Sequence, residues 1–177
     1  MKTNQVLALF AALAAVPLGL SAAKSNTPDA PSRIEVIYDH PEKFTDFRDS
    51  YDQHGESDKG YMQNFKEYIE RRGVPYLAEG QKLSITFTDI DMAGDFEPWR
   101  GHQFYDVRIV KDIYPPRIKL SFKLTDANGA VVKEGERDLR DLAFQMSASP
   151  IEQNEALRYE NMLMDDWLRR EFPKAKK

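Results

Sequence analysis

Residues 117–137 read R-I-K-L-S-F-K-L-T-D-A-N-G-A-V-V-K-E-G-E-R, and their periodicity decides the architecture. Ile118, Leu120, Phe122 and Leu124 alternate with Arg117, Lys119, Ser121, Lys123 and Thr125. Successive side chains of a strand point to opposite faces, so the alternation predicts a strand with one face on a core and one in water. Antiparallel sheets covered on one face carry this pattern; parallel sheets buried on both faces do not. Asp126-Ala127-Asn128-Gly129 then turns the chain into a second strand, Ala130 to Arg137. A two-residue Asn-Gly turn sets Leu124 opposite Lys133, whereas a three-residue turn ending on a left-handed Gly129 sets it opposite Val132. Matching the apolar faces favours the second register.

Working back toward the N-terminus, Phe104 to Ile113 predicts a further strand, with Val107 and Ile109 facing opposite to Asp106 and Arg108. Tyr114-Pro115-Pro116 could serve as a ligand for an aromatic groove, but between two strands it is better read as a stiff bend that interrupts a ladder. Leu83, Ile85 and Phe87 alternate with Ser84, Thr86 and Thr88, a strand with one buried face. A helix precedes it, with Tyr61, Phe65, Tyr68 and Ile69 on its apolar face, Ser57 or Asp58 as its cap, and Gly73 followed by Pro75 as its stop. The polar stretch from Phe44 to Lys59 reads as a loop, and Ile34, Val36 and Tyr38 mark a short first strand from Arg33.

Toward the C-terminus, Ser149-Pro150 announces a helix from Ile151 to about Phe172. Ala156, Tyr159, Leu163 and Trp167 form one stripe, and Leu157, Met164 and Leu168 a neighbouring one. So broad an apolar face docks across a sheet, which makes Trp167 and Tyr159 core rather than pocket residues. Asp165-Asp166 and Arg169-Arg170 are spaced for ordinary i, i+4 pairing on the helix surface. The order β-α-β-β-β-β-α predicts an α+β two-layer sandwich: a largely antiparallel five-stranded sheet with both helices on one face.

The start of the chain has the form of an export signal. Lys2 precedes an apolar run from Val6 to Leu20, and Ser21-Ala22-Ala23 supplies small residues for cleavage after Ala23. The run is about 15 residues, short of the roughly 20 that cross a bilayer. These features predict a signal peptide over 1–23, a flexible linker over 24–32, one globular domain over 33–173 and a disordered tail over 174–177. The expected product is soluble and periplasmic or secreted. No Cys follows the cleavage site, so no lipid anchor attaches there, and no later stretch is long enough to make a transmembrane helix.

The 177 residues contain no cysteine, which excludes a disulfide framework, a thiolate nucleophile and a Cys-based zinc site. The formal net charge is −4, and no basic stripe is present, so nucleic acid is not an expected partner. Serine-hydrolase elbows, phosphate-cradling glycine loops and dinucleotide fingerprints are likewise missing.

The most charged stretch, T-D-I-D-M-A-G-D-F-E-P-W-R from Thr88 to Arg100, holds Asp89, Asp91, Asp95 and Glu97. If the strand from Leu83 ran on unbroken, its apolar series would continue into Asp89 and Asp91. Unpaired carboxylates on a core face cost several kcal/mol or take up protons. The strand must therefore end, bulge or find cations there, with Gly94 at a turn, Arg100, Arg108 or Lys111 as counter-ions, and Phe96 and Trp99 folded back as apolar lids. A calcium loop is the first alternative, but its fifth position would be Ala93 and its twelfth Arg100, where oxygen ligands belong. A carboxylate pair is the second, with Asp89 or Asp91 as base and Asp95 or Glu97 as acid. His40, His54 and His102 show no metal-binding spacing. Only His54, amid Asp49, Asp52, Glu56 and Asp58, has several ligand types close by, and a solvated loop explains that cluster.

Several blocks together resemble a known family: F-T-D-F-R-D from Phe44, the Thr88 to Arg100 stretch, D-V-R-I-V-K-D-I-Y-P-P-R-I from Asp106, E-G-E-R-D-L-R-D from Glu134 and L-R-Y-E-N-M-L-M-D-D-W from Leu157. They are similar to the exported bacterial proteins of domain of unknown function 3016, across roughly Arg33 to Phe172. The resemblance implies a single-domain envelope protein and brings no activity, cofactor or catalytic residue. Two functions stay open. One is a non-enzymatic envelope binding or accessory module with a protein partner, no cofactor and no metal. The other is a carboxylate-based hydrolase or divalent-metal-binding protein using Asp89, Asp91, Asp95 and Glu97, with Arg100 beside them.

Overall fold

Residues 32–52, 57–146 and 156–173 are described by the computed structural model. The leader, residues 24–31 of the linker, His54, the expected helix start at Ile151 and the tail lie outside the described residues; the last helix begins at Arg158, and Ala156 and Leu157, expected on its apolar face, stand before it in a turn. The alternating segment quoted first is β5 (Arg117–Thr125), and it lies in the middle of a four-stranded sheet. Its neighbours are β2 (Lys82–Asp91) and β6 (Val131–Arg140), both antiparallel to it. The fourth strand, β1 (Ile34–Tyr38), pairs parallel to β2 and completes the order β1-β2-β5-β6. Adjacent parallel strands need a crossover of a dozen or more residues, and α1 (Lys59–Gly73) lies within that connection. Asp58 caps α1, its carboxylate accepting the Tyr61 N–H at 2.6 Å.

Both helices cover the same face of the sheet. Phe65 and Ile69 of α1 join Leu163, Met164, Trp167 and Leu168 of α2 (Arg158–Glu171) over Ile85, Phe87, Ile118, Leu120 and Phe122 in one core. Each such side chain, removed from water, contributes roughly 1.5–3 kcal/mol. The helices are also tied to each other. Asp165 accepts two hydrogen bonds from Arg72 and one from the Tyr68 hydroxyl on α1, while Asp166 alone takes both Arg169 and Arg170. Gly73, the last residue of α1, packs against the Ile34 side chain of β1: a Cβ there would sit 2.4 Å from Ile34 Cδ1.

The architecture is the α+β fold expected, with one difference in strand count. The segment 104–113 is not a fifth strand of the main sheet. It forms a short 3-10 turn (His102–Phe104) and a two-residue strand, β4 (Arg108–Ile109), which pairs with β3 (Asp95–Phe96) as a separate small sheet. The reason is edge availability. β2 already pairs with β1 and β5, and β5 with β2 and β6, so neither strand flanking the excursion has a free edge. The main sheet therefore has four strands rather than five.

The hairpin also differs from its expected register. Gly129 is left-handed (φ 82°) and the turn places Thr125 opposite Val131, as a three-residue turn requires. A bulge follows, and Leu124 faces Lys133 instead of Val132. Pairing by apolar match did not apply because β6 is an edge strand whose inward positions are Lys133, Gly135, Arg137 and Leu139. Glu171 at the end of α2 binds both Lys133 and Arg137.

Candidate binding cleft

The acidic stretch begins with a bulge in β2. The pairing to β5 shifts between Phe87 and Asp89, so Thr88 is the extra residue. Ile90 then takes the core position and is fully buried, while Asp89 and Asp91 point to the outer face opposite Lys119 and Arg117. The strand thus bulges and finds a cation at once. Asp89 accepts the Thr45 N–H at 2.9 Å and the Lys119 ammonium at 3.1 Å. Burial alone would raise its pKa, but these bonds pull it below the ordinary range.

Glu97 has a different fate. Its side chain is 2% exposed and meets Lys111 at 2.5 Å, the Tyr114 hydroxyl at 3.1 Å and Arg100 at 3.4 Å. The Lys111 bond is the main cause of its lowered pKa. Arg100 therefore serves Glu97 rather than Asp89 or Asp91. Gly94 does sit at the turn, with φ 83° and its N–H on the Tyr114 carbonyl at 3.0 Å. Of the two expected lids, Phe96 is buried and lies under the Arg108 guanidinium, whereas Trp99 is 71% exposed and covers nothing.

The loop after β1 brings in residues that strand periodicity does not reveal. Asp46 donates its N–H to the Ile90 carbonyl and accepts the Met92 N–H, each at 3.0 Å, forming a parallel bridge beside Asp91. The neighbouring Phe44 and Phe47 are buried and anchor this loop. The Asp46 carboxylate is itself buried, held by Arg108 at 2.6 and 3.1 Å and by Arg48 at 3.1 Å. Two aromatic residues in an otherwise acidic loop were the available signal.

These elements enclose a cleft of about 350 Å³ at the rim of the outer sheet face. Asp46, Asp91, Asp95, Arg48, Arg117 and Arg140 supply its charges, and Ile113 and Tyr114 also line it. Arg117 lies across from Asp91 in the ladder, but its guanidinium is drawn to Asp138 at 2.5 and 2.8 Å. Asp95 accepts the adjacent Phe96 N–H. The Asp91 carboxylate makes no hydrogen bond or ion pair among the described residues. Burial, and then the charges of Asp46, Asp89 and Asp95, push its pKa up to about 6.

Asp91 and Asp95 therefore share the cleft, while Asp89, Glu97 and Arg100 are committed elsewhere. Among the described residues no group of three or more His, Asp or Glu side chains is arranged to hold a metal ion. His40 and His102 lie on separate surface turns, His40 against Glu42 and His102 against the Tyr105 ring. No helix among the described residues is long and apolar enough to cross a membrane.

Fold and site together define an α+β two-layer domain with a charged cleft where the outer sheet face meets the β2–β5 excursion. The chain belongs to the family described as Protein of unknown function (DUF3016), whose match spans residues 32–170. No curated protein and no solved structure matches it.

Proposed function

We propose that the protein is a non-enzymatic binding module of the cell envelope, and that its cleft receives a cationic group, the lysine or arginine side chain of a partner protein, on Asp91. The observation that carries this reading is the unpaired Asp91 carboxylate in a cleft where Asp46 is held by Arg48 and Arg108, and where Arg117 is drawn away to Asp138. A cation beside Asp91 would relieve the repulsion from Asp46, Asp89 and Asp95, and so would bind more strongly than at an isolated surface carboxylate. Ile113, 65% exposed at the rim, offers apolar contact to the stem of such a side chain. The N-terminal leader pattern supports the envelope location.

The test is an NMR titration of the labelled protein with N-acetyl-lysine methylamide and N-acetyl-arginine methylamide. At pH 8 the resonances of residues 91–95 and 113–115 shift. The shifts disappear at pH 5, where Asp91 is protonated, and in Asp91→Asn. Shifts that persist in Asp91→Asn, or none in the wild type, overturn the reading. The alternative, a carboxylate hydrolase or divalent-metal-binding protein, keeps Asp91 and Asp95 as its pair, because both line the cleft. It requires that Ca²⁺, Mg²⁺ or Zn²⁺ raise thermal stability, by about 2.7 kcal/mol at a hundred times Kd for a metal site, or that turnover is found and lost in Asp91→Asn. Our reading expects neither.

A further inference from the structure

The wall of the cleft has a second side. Met92 and Gly94 line the cleft, and the residue between them, Ala93, is buried against the core with Phe144 and Tyr159. Its N–H is bound at 2.7 Å by Oε1 of Glu160, which reaches out of the first turn of α2 and is 1% exposed. The other carboxyl oxygen, Oε2, is buried and has no hydrogen-bond partner among the described residues. Other ties hold the segment on either side of Ala93: Met92 N–H to the Asp46 carbonyl, Gly94 N–H to the Tyr114 carbonyl, Arg108 to the Gly94 carbonyl, and Asp95 in its ladder with Ile109.

We infer that Glu160 is a proton-operated latch: as the neutral acid it fastens the Met92–Asp95 wall to the core, and on losing its proton it releases that wall and opens the cleft. A neutral carboxyl leaves Oε2 as a hydroxyl in an apolar surround, a modest penalty. A carboxylate there leaves a full charge with half its lone pairs bare, which a core does not tolerate. Hydration relieves the charge, and water reaches it only if the wall parts.

The charges around the latch explain why it is poised. Arg108 of β4 and Asp46 of the loop after β1 face Glu160 from the cleft side with opposite signs, and Tyr61 of α1 feels it from the helical side. The Ala93 and Glu160 N–H groups favour the carboxylate, but burial outweighs them and raises the pKa to about 7. Arg108 cannot neutralise it, because both of its terminal nitrogens are engaged by Asp46. The latch does not depend on what occupies the cleft, so it can fail while the ligand reading stands.

Hydrogen exchange of the assigned Ala93 amide, normalised to intrinsic rates and to core amides of β5, tests it in the full chain. Between pH 6 and pH 8 the wild type loses protection by about tenfold, as the ionised fraction grows. Glu160→Gln, which keeps an acceptor oxygen for Ala93, loses none over that range. Equal loss in both proteins, or none in either, overturns the latch. Should Glu160→Gln not fold, the Glu160 carboxyl carbon shift in the wild type decides the matter. A midpoint near 7 shared with the Ala93 amide supports the latch, and a midpoint below 5 sinks it.

Discussion

Asp91 and Glu160 are carboxyl groups held above their ordinary range for the same leading reason, burial, on opposite sides of one backbone segment. Asp91 adds the repulsion of three other carboxylates. Because its folded pKa lies above the value of the unfolded chain, its stabilising share is complete below about pH 3.8 and is lost as pH rises through about 6. Asp91→Asn therefore stabilises the protein at pH 8. The gain is about 1 kcal/mol once partial exposure is allowed for, and it vanishes at pH 3.5; urea denaturation at the two pH values measures it. A variant less stable than wild type at pH 8 would mean that Asp91 has a protein cation as partner after all. Asp91 was conspicuous in the sequence because it extends an apolar series. Glu160 was equally visible in principle, three residues after Leu157 and four before Met164 among the apolar residues that face the core, a position where a carboxylate is out of place.

The excursion between β2 and β5 shows how an element is displaced from its local pattern. Alternation of Val107 and Ile109 with polar neighbours suggests a strand, yet the strands on either side of it in sequence, β2 and β5, each already have two partners. The chain instead folds onto β3, with Arg108 reaching past Gly94 to Asp46. This close approach explains the glycine. A Cβ at Gly94 would lie 2.9 Å from the Ile109 carbonyl oxygen, in a backbone region that side chains rarely adopt. Gly94→Ala should lower stability by about 2 kcal/mol or more and disturb the resonances of both β3 and β4. A neutral melting temperature would show that the small sheet can move aside. At the other end of the sheet, β6 turns Lys133 and Arg137 inward onto Glu171, an arrangement that keeps an edge strand from pairing with another chain.

Across the whole molecule, the titrating groups divide into two sets with opposite signs. Asp89, Glu97 and Asp138 are held below the carboxylate range, and Arg137 followed by Lys133 takes Glu171 down to about 2. Their stabilising share is present above the unfolded pKa and is lost as pH falls through the folded one. Asp91 and Glu160 act the other way, losing theirs as pH rises toward about 6 and about 7. The two slopes place maximum stability near pH 5 rather than at neutrality. Thermal melting across pH 3 to 9 should show that maximum, and the alkaline decline should flatten in Asp91→Asn combined with Glu160→Gln. A curve level from pH 5 to 8 would contradict both raised values.

Short-range pattern was enough for the elements that bury one regular face. Strands β1, β2 and β5 and both helices follow from apolar spacing and the Asp58 cap, and the turn at Gly129 announces β6, because those features depend on neighbours within a few residues. That the strand must end, bulge or find cations after Phe87 was also implied, since two carboxylates could not follow Phe87 into the core, and a bulge at Thr88 is the form it took. The remainder was settled by contacts between distant parts of the chain. Asp46 meets Arg108 across 62 positions, and Glu160 meets Ala93 across 67. Which carboxylate was neutralised, which stayed free in the cleft and which was sealed behind its wall depended on where folding placed each counter-charge, because a charge pair or an orphaned carboxyl is a property of position in space and leaves no period along the chain.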